Sequence, residues 1–82
     1  MRNISVLIDE KCKIIEIEIT QSCDLIDLPL YKAKLPENTL IAGILRKDQV
    51  IIPKGNDTLK LGDIVILITL ENKMSEIYDI FF

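Results

Sequence analysis

The chain has 82 residues, of which 49% are hydrophobic and 28% charged, with a formal net charge of −3. That is one domain, and one so small that it buries only about 60–65% of the surface its unfolded chain exposes. The mild negative charge, with no basic stripe and no aromatic run to stack bases, excludes a nucleic-acid footprint. No segment reaches the ~18 uninterrupted apolar residues of a membrane span, so direct membrane insertion is not expected.

Ile occurs 16 times and the only aromatics are Tyr31, Tyr78, Phe81 and Phe82. β-Branched side chains pack well on a pleated surface, so this composition favours strands. Residues 3–8 alternate loosely and read as an edge strand. Asp9, Glu10 and Lys11 break it with a charged turn. Lys13–Thr20 alternates strictly, with Ile15, Ile17 and Ile19 on one face and Glu16, Glu18 and Thr20 on the other. Period two with one apolar face marks a half-buried strand. Asp27 is placed to cap a short helix with Pro29 in its first turn and Leu28, Leu30, Tyr31 and Leu35 as its stripe. Leu35-Pro36 ends that helix, because the residue before proline avoids the helical region.

Thr39–Arg46 is nearly all apolar and predicts a strand buried on both faces, by its own core or by another subunit. Lys47-Asp48 is a tight connection into a return arm, Gln49–Pro53. Pro53 cannot donate to a ladder and belongs at a strand end or edge. Lys54–Leu61 reads as a loop anchored by Leu59 and Leu61, and Gly62-Asp63 as a turn before the strand Ile64–Leu70. Glu71-Asn72 is expected to cap a helix over Lys73–Phe82, with Met74, Ile77, Tyr78 and Phe81 on its apolar face. The order predicts an α+β fold: a small, mostly antiparallel β-sheet with one short helix and a C-terminal amphipathic helix.

Chemistry is hard to find. There is no His, so neither Cys12 nor Cys23 has the usual partner for activation. The cysteines lack metal-pair spacing and read as free thiols of a reducing cytoplasm. The three glycines, Gly43, Gly55 and Gly62, form neither Gly-x-Gly nor a P-loop. Asp24 and Asp27 read as turn and capping residues. The chain is expected not to be an enzyme, and no catalytic, cofactor-binding or metal residues are assigned.

One ordered set of residues is more specific. Ser22 and Leu25 open it, followed by Leu35-Pro36 and the apolar strand closing in Ile44-Leu45-Arg46. Ile51-Ile52-Pro53-Lys54-Gly55, Leu59 and Gly62-Asp63 complete it. This series resembles the RCK C-terminal domain, also called the TrkA C-terminal domain, of the regulatory subunit of Trk-type potassium uptake. The likeness covers about residues 13–82, leaving 1–12 as a linker or edge strand. Asp27 stands where the family often has Gly, and Lys54 where Arg is commoner, which keeps the charge and loses the fork.

The resemblance implies a cytoplasmic regulatory and dimerisation domain, peripheral to the inner face of the plasma membrane through its partner, that gates a membrane potassium-transporter subunit. It implies a homodimer and an N-terminal nucleotide-binding RCK domain outside this sequence, of which Met1–Phe82 would be a fragment. No cofactor is expected in this domain. NAD or ATP would bind the absent N-terminal domain, and cyclic di-AMP is a candidate for the cleft between two copies. Leu35, Pro36, Ile41, Ala42, Ile44 and Arg46 are the candidate cleft residues. Pro53, Gly55, Gly62 and Asp63 are the structural turn: Gly62 supplies a backbone angle other residues avoid, and Asp63 folds its carboxylate onto nearby N–H groups. Arg46 either reaches an acceptor on a partner or ligand or ends the strand in solvent. A dimerisation scaffold without a small ligand is the alternative.

Overall fold

The computed structural model describes residues 3–7 and 11–82. Five strands form one antiparallel sheet: β1 Asn3–Leu7, β2 Cys12–Glu18, β3 Leu40–Arg46, β4 Gln49–Ile51 and β5 Ile64–Leu70, in the order β1-β2-β5-β3-β4. A single α-helix, α1 Met74–Phe81, follows β5. The α+β class and the antiparallel sheet read from the sequence are those of the structure. The turn expected at Asp9 and Glu10 lies outside the described residues.

The alternation in β2 sets the two faces. Ile15 and Ile17 point inward with Val65 and Leu67, and Ile41 and Ile44 join them from β3. Ile77 and Phe81 of α1 cover this inner face together with Cys23, Leu25 and Leu59 from the connecting segments. Thr69 is fully buried among them, and its hydroxyl is satisfied by the Thr39 hydroxyl at 2.8 Å. A buried hydroxyl left without such a partner would be costly.

Within one copy, β3 is covered by the core on one face only. Its register with β5 shifts between Ile41 and Gly43, a β-bulge that leaves Ala42 without a ladder partner. The extra residue lets both Ile41 and Ile44 face the core. Directly opposed residues of an antiparallel pair share a face. The pairs Ile14–Ile68, Glu18–Ile64, Leu40–Ile68 and Leu45–Val50 therefore build a second, outer surface that is mainly aliphatic. Among the described residues its members are half-buried or exposed.

Several local expectations are corrected. The short helix is a single 3-10 turn, Leu30–Lys32, preceded by Pro29 with no side-chain cap. Asp27 has φ +61°, so it belongs to the preceding loop, and its carboxylate pairs with Lys60 Nζ instead. Glu71-Asn72 do not cap α1; with Lys73 they form a 3-10 turn from which α1 continues without a side-chain cap. Of the expected anchor pair only Leu59 is buried, while Leu61 is exposed, and Tyr78 stands out from the apolar face of α1 toward solvent. Leu59 is drawn in by its parallel bridge with Ile26; Leu61 sits at the exposed tip of the Lys60–Asp63 turn, before the chain returns to the buried Asp63.

That difference is measurable. Leu59→Ala is expected to lower the unfolding free energy by about 3 kcal/mol, and Leu61→Ala by no more than about 0.5 kcal/mol, as read from urea denaturation of the two variants.

Candidate functional site

Two arrangements stand out on the β3–β4 side of the sheet. The first is a groove of about 210 Å³ walled by Leu30, Tyr31, Leu35, Leu40, Ile41 and Pro53, with Thr39, Lys54 and Gly55 completing it. The 3-10 turn places Tyr31 over the backbone of Gly55. The Tyr31 amide donates to the Gly55 carbonyl at 3.0 Å, and a Cβ on Gly55 would stand 3.2 Å from the Tyr31 Cβ. Lys54 is held by its own amide, which donates to the Asp57 carboxylate at 2.7 Å. The Asp57 amide in turn donates to the Lys54 carbonyl at 2.9 Å, and this doubly closed turn shapes the groove end.

The second is an ion pair. Arg46 Nε donates to Asp63 Oδ1 at 2.9 Å and its Nη2 to Oδ2 at 2.8 Å, a bidentate fork. Nη2 also donates to the Thr58 carbonyl, and the Lys60 amide donates to Asp63 Oδ2 at 2.9 Å. Gly62, at φ +88°, reverses the chain so that its amide and that of Ile19 bridge the turn to the end of β2. Burial alone would raise the Asp63 carboxyl. The Arg46 hydrogen bonds, the Lys60 amide and the charges of Arg46 and Lys60 outweigh it and hold the carboxyl below its usual range. The same pairing raises Arg46, while burial of Cys23 pushes its thiol up.

The candidate cleft residues are thus divided. Leu35 and Ile41 line the groove, with Pro36 half-buried just beyond Leu35. Ala42 is half-buried at the bulge, and Ile44 is 1% exposed inside the core, out of reach of a ligand. Arg46 is turned inward onto Asp63 and Thr58, neither free in solvent nor aimed at the groove. Of the turn residues, Pro53 and Gly55 lie at the groove and Gly62 and Asp63 at the ion pair. The groove also takes Leu30, Thr39, Leu40, Lys54 and Tyr31, which are not among the candidate cleft or turn residues, and of these only Tyr31 is aromatic. Its signal is an aromatic standing alone between prolines in a chain with four aromatics.

A sequence model of the TrkA-C domain matches residues 14–81. The chain belongs to the TrkA-C domain family. This TrkA-C domain is 31% identical over 72 residues to "Trk system potassium uptake protein TrkA homolog 2" of Methanosarcina mazei, covering 88% of the chain and 16% of that protein. It is also 31% identical over 68 residues to "TrkA homolog 1" of the same organism, covering 83% of the chain and 15% of the relative. The chain therefore spans about a sixth of the length of these curated relatives. A solved structure described as "Structure of RCK domain with cda" superposes with a TM-score of 0.68 at 19% identity, covering 82% of this chain and 96% of that one. That similarity establishes a shared fold. The TrkA-C domain is homologous to Trk potassium-uptake regulatory proteins, and no helix among its described residues is long and apolar enough to cross a membrane.

The ion pair makes a sharper prediction than the exposed pair beside it. Asp63→Asn is expected to destabilise the domain by about 2–3 kcal/mol, because it strips charge from a buried acceptor of several donors. Asp27→Asn should change stability by less than about 0.5 kcal/mol, since the Lys60 pair is exposed and Asn tolerates a positive φ. The folded Asp63 carboxyl lies below its unfolded value of 3.8. Its contribution is therefore complete above that value and is lost as the pH falls through it toward the folded value. Urea midpoints measured from about pH 6 down to about pH 3 should fall less steeply in Asp63→Asn than in the wild type.

Proposed function

We propose that this TrkA-C domain is the cytoplasmic regulatory and dimerisation module of a Trk-type potassium uptake system, acting on a membrane transporter subunit through the longer protein to which it belongs. In this reading a nucleotide-binding RCK domain precedes it, two copies join on the β3–β4 side, and an effector held between them biases one dimer arrangement over another. A ligand shifts such an equilibrium only by its difference in affinity for the two arrangements.

The observation that carries this is the distribution of exposed apolar side chains. Tyr31 at 65%, Leu40 at 59%, Val50 at 68% and Ile52 at 72% all stand on the β3–β4 side, around the groove and along the adjoining outer face. Leu61, Tyr78 and Phe82 are exposed elsewhere, but four of the seven exposed large apolar side chains among the described residues share this side, and such a gathering suits an interaction surface. The groove supports the rest. At about 210 Å³ it is smaller than the ~300–1,000 Å³ of ordinary ligand sites, so a nucleotide-sized effector needs a second wall, which a second copy would supply. Lys54 in its wall and Lys32, whose Nζ stands 5.8 Å from the centre of the Tyr31 ring, favour an anion. The solved RCK structure described with "cda" makes cyclic di-AMP the first effector to try.

The engagement of Arg46 by Asp63 favours a second reading, dimerisation without a small ligand, because it removes the one arginine expected to flank the cleft. Two measurements on the purified domain separate the readings. Light scattering at high micromolar concentration should give a dimer, and a monomer would overturn both. Thermal shifts should then be recorded with cyclic di-AMP, ATP, NAD and NADH. A ligand at about a hundred times its Kd should raise Tm on the order of 10 °C; no shift with any of the four leaves the scaffold reading in place.

A further inference from the structure

The segment Pro53–Lys60 turns at Lys54–Asp57 and then runs as a strap between the groove and the ion pair, and its carbonyls alternate. The Gly55, Asp57 and Leu59 carbonyls accept from the amides of Tyr31, Leu30 and Asp27 at 3.0, 2.9 and 3.0 Å. The Thr58 carbonyl, between two of these, faces the other way and accepts from Arg46 Nη2 at 3.0 Å. Beyond it, the Lys60 amide donates to Asp63 Oδ2 and the Asp63 amide to the Lys60 carbonyl. One edge of the strap therefore carries the turn that presents Tyr31, and the other edge is held by Arg46 and Asp63.

We infer that Arg46 is a positioning residue for the groove: through Thr58 and Asp63 it fixes the strap, and through the strap it fixes the Leu30–Tyr31 turn. The fork makes this possible. Arg46 grips a buried carboxylate with two donors in one plane and still reaches the Thr58 carbonyl. A lysine carries the same charge, but its three donors radiate from a single nitrogen and do not reproduce the planar fork onto the carboxylate together with the Thr58 contact. The residue that sequence pattern places in the cleft thus acts on it at second hand, across one segment.

This deepens the reading of the groove as a binding site, but the coupling is tested without any ligand. Amide hydrogen exchange of the wild type, Arg46→Lys and Gly55→Ala, resolved by residue, is the experiment. In Arg46→Lys the amides of Asp27, Leu30 and Tyr31 should exchange about tenfold faster, while those of the central strands β2 and β5 keep their wild-type rates. Gly55→Ala disturbs the strap from the opposite end, because its new Cβ crowds the Tyr31 Cβ at 3.2 Å. It should speed exchange of the Lys60 and Asp63 amides. If either variant loosens only its own end, the strap does not couple the two sites and the inference fails. If Arg46→Lys accelerates the central strands as much as Tyr31, the ion pair is a global stabiliser and the inference fails equally. Neither failure bears on whether the groove binds an effector, which the thermal shifts decide, and a groove that binds nothing leaves the exchange result intact.

Discussion

The bidentate grip of Arg46 on Asp63 is the constraint on which one whole end of this molecule depends. β3 ends at the arginine, β5 begins one residue after the aspartate, and the strap lies across both. A buried carboxylate is tolerable only when its lone pairs are met, and here two guanidinium N–H groups and a backbone amide meet them. The turn at Gly62 is the backbone device that makes this possible. Its positive φ brings Asp63 back under the Lys60 amide while the Gly62 amide reaches the Ile19 carbonyl. Sequence-local geometry and a long-range ion pair therefore enforce the same loop shape.

The rest of the domain is organised by apolar alternation on a sheet with only one helix to cover it. α1, the Cys23–Leu25 segment and Leu59 close the inner face. The outer face has no counterpart among the described residues, and its most exposed side chains gather toward β3 and β4. In a chain with so little volume to spend on layers, a second surface of isoleucines is not needed to complete the core. It is an apolar surface left open on this copy of the domain.

Much of this was legible beforehand. The strict alternation of Ile15, Ile17 and Ile19 fixed which side of β2 faces inward, and the ordered set from Ser22 to Asp63 placed the chain in its family. Three features were not legible, each for a physical reason. The bulge at Ala42 has no residue signal of its own, because Ile41 to Leu45 is apolar in either register, so the strand looked two-sided. The short helix looked longer than one turn because Leu28, Leu30, Tyr31 and Leu35 suit a helical stripe. In the structure, backbone bonds to Gly55 and Asp57 hold that segment against the strap instead. The direction of Arg46 depends on a carboxylate 17 positions away, and nothing local to Leu45-Arg46-Lys47 announces it. The groove was half legible: Leu35, Ile41, Pro53 and Gly55 were singled out, while Tyr31 was taken only as part of a stripe.

The brevity of β4 has a consequence for the resistance of this sheet to edge-to-edge aggregation. β4 is the free edge on its side of the sheet, yet it has only three residues and Pro53 follows shortly after it. An edge that short, next to a residue without an N–H, offers poor purchase for strand-by-strand addition of further chains. The bulge in β3 adds local twist beside it. Runaway lateral polymerisation, the ordinary hazard of an isoleucine-rich sheet, is thereby disfavoured at this margin.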